Sequence, residues 1–200
     1  KRKNELKWLD RLFGKQKSDP TDKSPYLPNE KLPKDIGFAQ NFTEKGGFFL
    51  YNESQKNVLA NFKEILKENF WDSEDILCFD SHLSTVFNLP LKTVNDDIKN
   101  CKAGLFLCEY LISNTGAILF CNRQMHHFKV NQLPQTLIVY ASSNQFVSDV
   151  SEGMTLLKNK YTNNIPTNIS AIDCQDAKES LTTNSATSPS KNIYLLLQDH

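Results

Sequence analysis

The sequence predicts an α/β protein built on a mostly parallel sheet. Two observations carry this. Short apolar runs alternate along the chain with longer segments of helical periodicity, the pattern of strands joined by right-handed helical crossovers. The strongest runs, Leu137–Ala141 (LIVYA) and Tyr194–Gln198 (YLLLQ), are continuously apolar rather than alternating, as strands buried on both faces are.

Taken in order, Lys1 to Phe13 carries Leu6, Leu9 and Phe13 at helical spacing and reads as an amphipathic helix. Gly14 to Asp35 is polar and holds four prolines, which forbid regular helix and predict an extended arm or linker. The expected organisation is therefore an N-terminal helix and Pro-rich arm over residues 1–35 and one α/β domain over 36–200. Residues 1–35 carry ten basic and six acidic groups, and the remainder thirteen and seventeen, so the two parts have opposite net charge. The arm can lie on its own body, on a partner, or in solvent.

In the domain, GGFFLYN (Gly46–Asn52) reads as a strand. A helix follows with Val58, Phe62, Ile65, Leu66 and Phe70 on one face. DILCFD (Asp75–Asp80) is the next strand, and SHLSTVFNLP a short helix stopped by Pro90. Two apolar runs flank Ser113-Asn114-Thr115-Gly116, and QTLIVYAS (Gln135–Ser142) is a strong strand. The segment from Ser143 to Tyr161 reads as a helix, with Phe146, Val150, Met154 and Leu157 in phase and Ser142 or Ser143 as its cap. NISAID and NIYLLLQD close the series as strands, and SLTTNSATSPSKN between them reads as a surface loop.

Composition excludes several function classes. The 23 basic and 23 acidic residues cancel, against a nucleic-acid binder or a membrane-surface protein working by bulk basicity. Apolar residues are 39%, with 13 Phe, 6 Tyr and 2 Trp supplying core volume. No apolar run approaches the ~18 residues of a transmembrane helix, and the first residues, KRKNELKWLD, lack a signal-peptide apolar stretch. The five cysteines are odd in number, lack a CxxC, and sit mostly in apolar runs. That pattern predicts reduced thiols in a cytoplasmic protein and neither an iron–sulfur cluster nor a zinc site, so no metal or cofactor is expected.

Few residues stand out as chemistry. Three arginines occur, and Arg2 and Arg11 lie in the N-terminal segment, so Arg123 is the one guanidinium of the domain. It directly follows an apolar run, where open α/β sheets bind ligands, and its planar fork suits an anion; a structural salt bridge on a turn is the other reading. Asn114-Thr115-Gly116 offers an amide, a hydroxyl and a glycine that permits close backbone approach, and reads either as an oxyanion cradle or as a plain hairpin turn. Glu109 interrupts the most apolar stretch, GLFLCEYLIS. It either faces solvent or is buried with a raised pKa, as an acid/base group or nucleophile. His126-His127 point apart and make a poor metal pair.

These residues carry a family likeness. CKAGLFLCEYLISNTGAILFCNRQ (Cys101–Gln124) resembles the central signature of the LUD domain family, the lactate-utilisation proteins of the LutC/YkgG type. That signature is an acidic residue, an apolar step, Ala-Glu-Thr-Gly-Ser/Thr, and an apolar strand. Glu109 stands at the acidic position, Ser113-Asn114 where the family has Ala-Glu, and Thr115-Gly116 match. The downstream order agrees over LPQTLIVYASS, VSDVSEGMTLLKNKY and the last two strands, and upstream FTEKGGFFLYNESQKNVLANFKEIL is similar as well. The chain departs at Asn114, at SAIDCQDAKES, which lacks the family's Gly-Pro, and at Thr187-Ser188-Pro189, where the family has His-Gly-Pro. It reads as a divergent member.

The resemblance implies a three-layer α/β sandwich like that of the CoA-transferases and ribose-5-phosphate isomerase. It implies an accessory or small-anion-binding component of organic-acid metabolism, the oxidation of L-lactate to pyruvate, beside iron–sulfur partner subunits. In that reading Asn114, Thr115, Gly116 and Arg123 contact a small anionic metabolite and Glu109 is the acid/base. Two alternatives stay open: a CoA-transferase-like or isomerase-like enzyme using Glu109, and a scaffold that associates with itself or a partner through the N-terminal arm.

Overall fold

The structure, a computed structural model, describes residues 32–174 and 190–199. The expected N-terminal helix and nearly all of the arm lie outside these residues, as do most of SLTTNSATSPSKN, Gln175–Ser180 of the late loop, and Thr187-Ser188-Pro189.

The chain enters at α1 (Lys34–Glu44), which follows Pro33 and buries Phe38, Ala39 and Phe42 at helical spacing. Lys34 and Asp35, read from sequence as the end of the arm, form its first turn. A turn through Gly46 (φ 84°) leads into β1 (Phe48–Asn52) and then α2 (Gln55–Asn69), capped by the Ser54 side chain accepting from the Asn57 N–H. Val58, Phe62 and Ile65 are buried as the periodicity predicts, but Phe70 is 90% exposed. It is the left-handed C-cap (φ 57°), so its side chain leaves the helical face.

β2 is reduced to Ile76–Leu77, and α3 (Ser81–Phe87) starts where Asp80 accepts from the Leu83 N–H at 2.9 Å. Then come β3 (Ala103–Leu107), a hairpin of β4 (Tyr110–Ile112) and β5 (Ala117–Phe120), the one-turn α4 (Asn122–Met125), and β6 (Thr136–Ser142). The predicted helix over 143–161 starts later. Phe146–Val147 form β7, and α5 (Val150–Lys160) is capped by Asp149, not by a serine. Ser143–Gln145 form a single 3-10 turn, and Phe146 and Val147 instead extend the sheet by pairing with Leu111 and Ile112. β8 (Ser170–Cys174) and β9 (Ser190–Gln198) complete the described elements.

The class is α/β with a mostly parallel sheet, as the sequence predicts. β2, β3, β6 and β9 lie side by side and parallel, with β1 parallel to the second half of β9. The first residues of β9 pair in parallel with β8, and the sheet continues through antiparallel β5 and β4 to β7, parallel to β4. One face of the parallel part presents Ile138, Leu196 and Leu105 to α2 and α3. The opposite face presents Leu137, Val139 and Leu195 to Leu111, Ile118, Phe120 and Ile172 of the second part, and to Phe38 and Phe42 of α1. The outer face of that second part (Ile112, Leu119, Val147) is closed by Leu157 of α5. LIVYA is therefore continuously apolar because both of its faces are interior. Among the described residues, no helix is long and apolar enough to cross a membrane.

α1 also fixes the tip of the β4–β5 hairpin. Asn41 Nδ2 donates to the Ser113 carbonyl at 2.7 Å, and Ser113 Oγ to the Lys34 carbonyl at 2.6 Å. Gly116 has φ 72°, and a Cβ there would stand 2.5 Å from the Phe42 backbone nitrogen. Gly116→Ala therefore combines left-handed strain with a backbone clash. We expect it to lower stability by about 2–4 kcal/mol in denaturant titration; a loss below about 0.5 kcal/mol would show that the turn is not pressed against α1.

Candidate functional site

The site forms at the open end of the hairpin, past the carboxyl end of β3. Tyr110 is the register partner of Leu119, yet the N–H of the preceding Glu109 also reaches the Leu119 carbonyl, at 2.8 Å. Two residues thus face one, a bulge that re-aims a side chain. Gln145 braces this point: its Nε2 donates to the Cys108 and Glu109 carbonyls at 2.7 and 3.1 Å, and its Oε1 accepts from the Ser142 N–H at 2.7 Å.

Glu109 is 1% exposed, which settles the solvent-facing reading against itself. Its Oε1 accepts from Gln124 Nε2 at 2.8 Å, Tyr161 Oη at 3.1 Å and Cys121 Sγ at 3.3 Å. Its Oε2 accepts from Lys160 Nζ at 3.0 Å. The Gln124 amide is oriented because its Oε1 takes the Cys121 N–H at 2.9 Å, which turns its nitrogen toward the carboxylate.

These partners overturn the expected raised pKa. Burial pushes the Glu109 acid up, but the hydrogen bonds from Gln124 and Lys160 and the Lys160 charge outweigh it, and the group lies below its ordinary value. Lys160 shows the reverse balance: burial pulls it down, Glu109 pulls it up, and the net direction is up. Cys121 is pushed up to about 11, first by burial and then by the neighbouring carboxylate, so it stays a thiol and donates. At neutral pH the cluster is a carboxylate with an ammonium, ringed by neutral donors.

Arg123 is exposed and places its guanidinium 4.2 Å from the centroid of the Tyr161 ring, with Lys160 Nζ 5.0 Å from the same ring. Stacking of this kind contributes about 0.5–1 kcal/mol at exposed sites and orients the fork. Among the described residues Arg123 enters no salt bridge, so the salt-bridge reading has no support. Glu109 and Arg123 are thus brought together, through Tyr161.

Asn114, Thr115 and Gly116 are not brought to them. They form the closed end of the hairpin, with Asn114 five residues along the chain from Glu109, or roughly 15 Å of strand. Their polar groups serve the fold: the Asn114 N–H donates to the Ser148 carbonyl at 3.0 Å, and Thr115 Oγ1 accepts from the Ala117 N–H at 3.2 Å. Gly116 does permit close backbone approach, but what approaches is α1. The expected convergence of this turn with Arg123 is corrected accordingly.

Gln124, Lys160 and Tyr161 were not singled out by the sequence. Gln124 sits one residue from Arg123, but nothing in spacing links positions 160 and 161 to 109. That link exists because α5 crosses the outer face of the hairpin and ends over its open end.

Because the folded pKa of Glu109 lies below its unfolded value, its stabilisation is complete above the unfolded carboxylate range, about pH 4.3, and fades as pH falls through the folded value. Lys160→Met removes the cation and lets that pKa rise. We expect a loss of about 1–2 kcal/mol at pH 7, less than for a fully buried pair because Lys160 is half exposed. The acid-unfolding midpoint should move to higher pH; an unmoved midpoint would contradict the charge balance.

A family model for the LUD domain matches residues 86–197, more than half of the chain, from the end of α3 through almost all of β9. Among solved structures the chain resembles a DUF162 family protein from Deinococcus radiodurans, with a TM-score of 0.57 at 12% identity, covering 82% of this chain and 96% of that one. At such identity the likeness speaks to the fold. No curated protein matches the chain. The matched span includes the hairpin, both flanking carboxyl-end loops and α5, and on that match the chain belongs to the LUD domain family.

Proposed function

We propose that the protein is a small-anion-binding component of organic-acid metabolism, of the lactate-utilisation kind. The observation that carries this is the Arg123 guanidinium, exposed, free of any salt bridge among the described residues, and stacked on Tyr161 beside Lys160. A fork held in this way accepts a carboxylate with two parallel N–H bonds. Glu109 acts from beneath as the fixed counter-charge that positions Lys160 and Tyr161. Both of its oxygens are occupied and it is 1% exposed, which favours this role over a nucleophile that must reach an acyl group. In this reading the chain holds the organic acid, and electrons from lactate oxidation pass to iron–sulfur partner subunits.

The test is an NMR titration with L-lactate and with pyruvate. Amide shifts should concentrate at Glu109, Cys121–Gln124 and Lys160–Tyr161, and Arg123→Gln should weaken binding about tenfold or more, the loss of a charged hydrogen-bond pair. Shifts confined to Asn114–Gly116, or none near Arg123, would overturn the assignment. Intact mass after incubation with an acyl-CoA should show no Glu109 adduct.

A further inference from the structure

A cavity of about 300 Å³ lies in the helical layer over the parallel part of the sheet, on the face away from the β4–β5 hairpin. α2 contributes Leu59, Phe62, Lys63 and Leu66 to it, which recur three and four residues apart and so share one stripe of the helix. The last two residues of α3, Val86 and Phe87, and Leu89 just beyond them face that stripe.

The floor is fixed in place. Phe62 and Phe87 are buried and meet edge to face with ring centroids 4.8 Å apart, and Phe87 meets Tyr140 of β6 in the same way at 5.7 Å. Leu89 is buried and doubly tied to α3: its N–H donates to the Ser84 carbonyl at 2.9 Å, and its carbonyl accepts from Ser84 Oγ at 2.7 Å. The helix stops there because Asn88 is left-handed (φ 52°), a conformation that asparagine tolerates. The walls Leu59, Leu66 and Val86 are half-buried, so they carry apolar surface that an aliphatic ligand would take out of water.

Size and charge decide the ligand class. The volume stands at the lower end of the ~300–1,000 Å³ of small-molecule pockets. It holds one short chain, whereas a docked helix needs a groove long enough for anchors over two turns. The lining carries one charge, Lys63, and no acid; its other polar members, Ser73 and Asn88, are neutral. Lys67 stands one turn further along α2, and neither lysine enters an ion pair among the described residues. The acids of the same segment, Glu64 and Glu68, lie more than a quarter turn round the helix from Lys63. Like charges one turn apart repel, and a carboxylate at this rim relieves the repulsion. We infer that the cavity is a binding site for an unbranched aliphatic monocarboxylate, with its chain on Phe62, Phe87 and Leu89 and its carboxylate at Lys63, separate from the contact at Arg123.

The probe is sodium octanoate, followed by methyl NMR on the full chain. Saturable shifts should appear at Leu59, Leu66, Val86 and Leu89, and they should persist in Arg123→Gln, which separates this site from the one at Arg123. Lys63→Gln should weaken octanoate about threefold to fivefold, the scale of one exposed charge pair. Lys63 is exposed, so the variant should melt with the parent and keep the L-lactate titration unchanged. Octylammonium, with the same chain and the opposite charge, should bind the parent more weakly than octanoate. The inference is overturned if octanoate moves none of these methyls, if the shifts vanish in Arg123→Gln, if Lys63→Gln binds as well as the parent, or if octylammonium binds as tightly as octanoate.

Discussion

β9 is the constraint on which the rest depends. Along one edge it pairs with β6 over seven residues, and along the other it meets β8 first and β1 afterwards. A single nine-residue strand thereby belongs to both parts of the sheet. This lets the hairpin portion pack its inner face on the parallel portion, and it makes Leu195 interior on one side and Leu196 on the other. Hydrophobic burial on both faces leaves no place for a polar side chain in mid-strand. Polar chemistry is displaced to the strand ends, which is where Glu109, Ser142 and Gln198 are found.

A buried carboxylate at such an end is tolerated only with close compensation. Isolated, it would protonate. Glu109 stays ionised because four side chains from two chain segments, Cys121–Gln124 and Lys160–Tyr161, donate to it, and one of them is charged. The bulge, the oriented Gln124 amide and the end of α5 are each needed to bring those donors within reach. The same carboxylate holds Lys160 and Tyr161, and through the Tyr161 ring it sets the height at which Arg123 stands. A charge without solvent access therefore shapes the exposed surface above it.

Much of the architecture was legible in the residues. LIVYA and YLLLQ announced two-sided burial, the Val58–Phe62–Ile65 spacing announced α2, and Pro90 its short successor. The failures have physical causes. FVSDV looked helical because Phe146 and Val150 are four apart, but pairing with β4 supplies Phe146 with a sheet partner and Asp149 offers a better cap than Ser143. Phe70 fitted the apolar phase of α2, which does not register that the last position turns left-handed. Lys34 and Asp35 looked like arm, since only tertiary contact with Ser113 and Glu152 distinguishes them.

At the candidate site the limit was topological. Glu109 and Arg123 bracket one hairpin, so their sequence separation already contained their proximity: antiparallel strands return to their start. The same geometry separates Asn114–Gly116 from both, because the turn of a hairpin and its open end cannot coincide. Local sequence placed all five residues in one motif, and the hairpin divides them into two roles. The glycine end takes the close approach of α1 and secures the fold. The charged end, freed from that task, meets α5 and presents its cation to solvent. A family motif that is contiguous in sequence thus serves packing at one end and chemistry at the other, and replacing the motif's usual Glu by Asn114 falls on the packing end, away from Arg123.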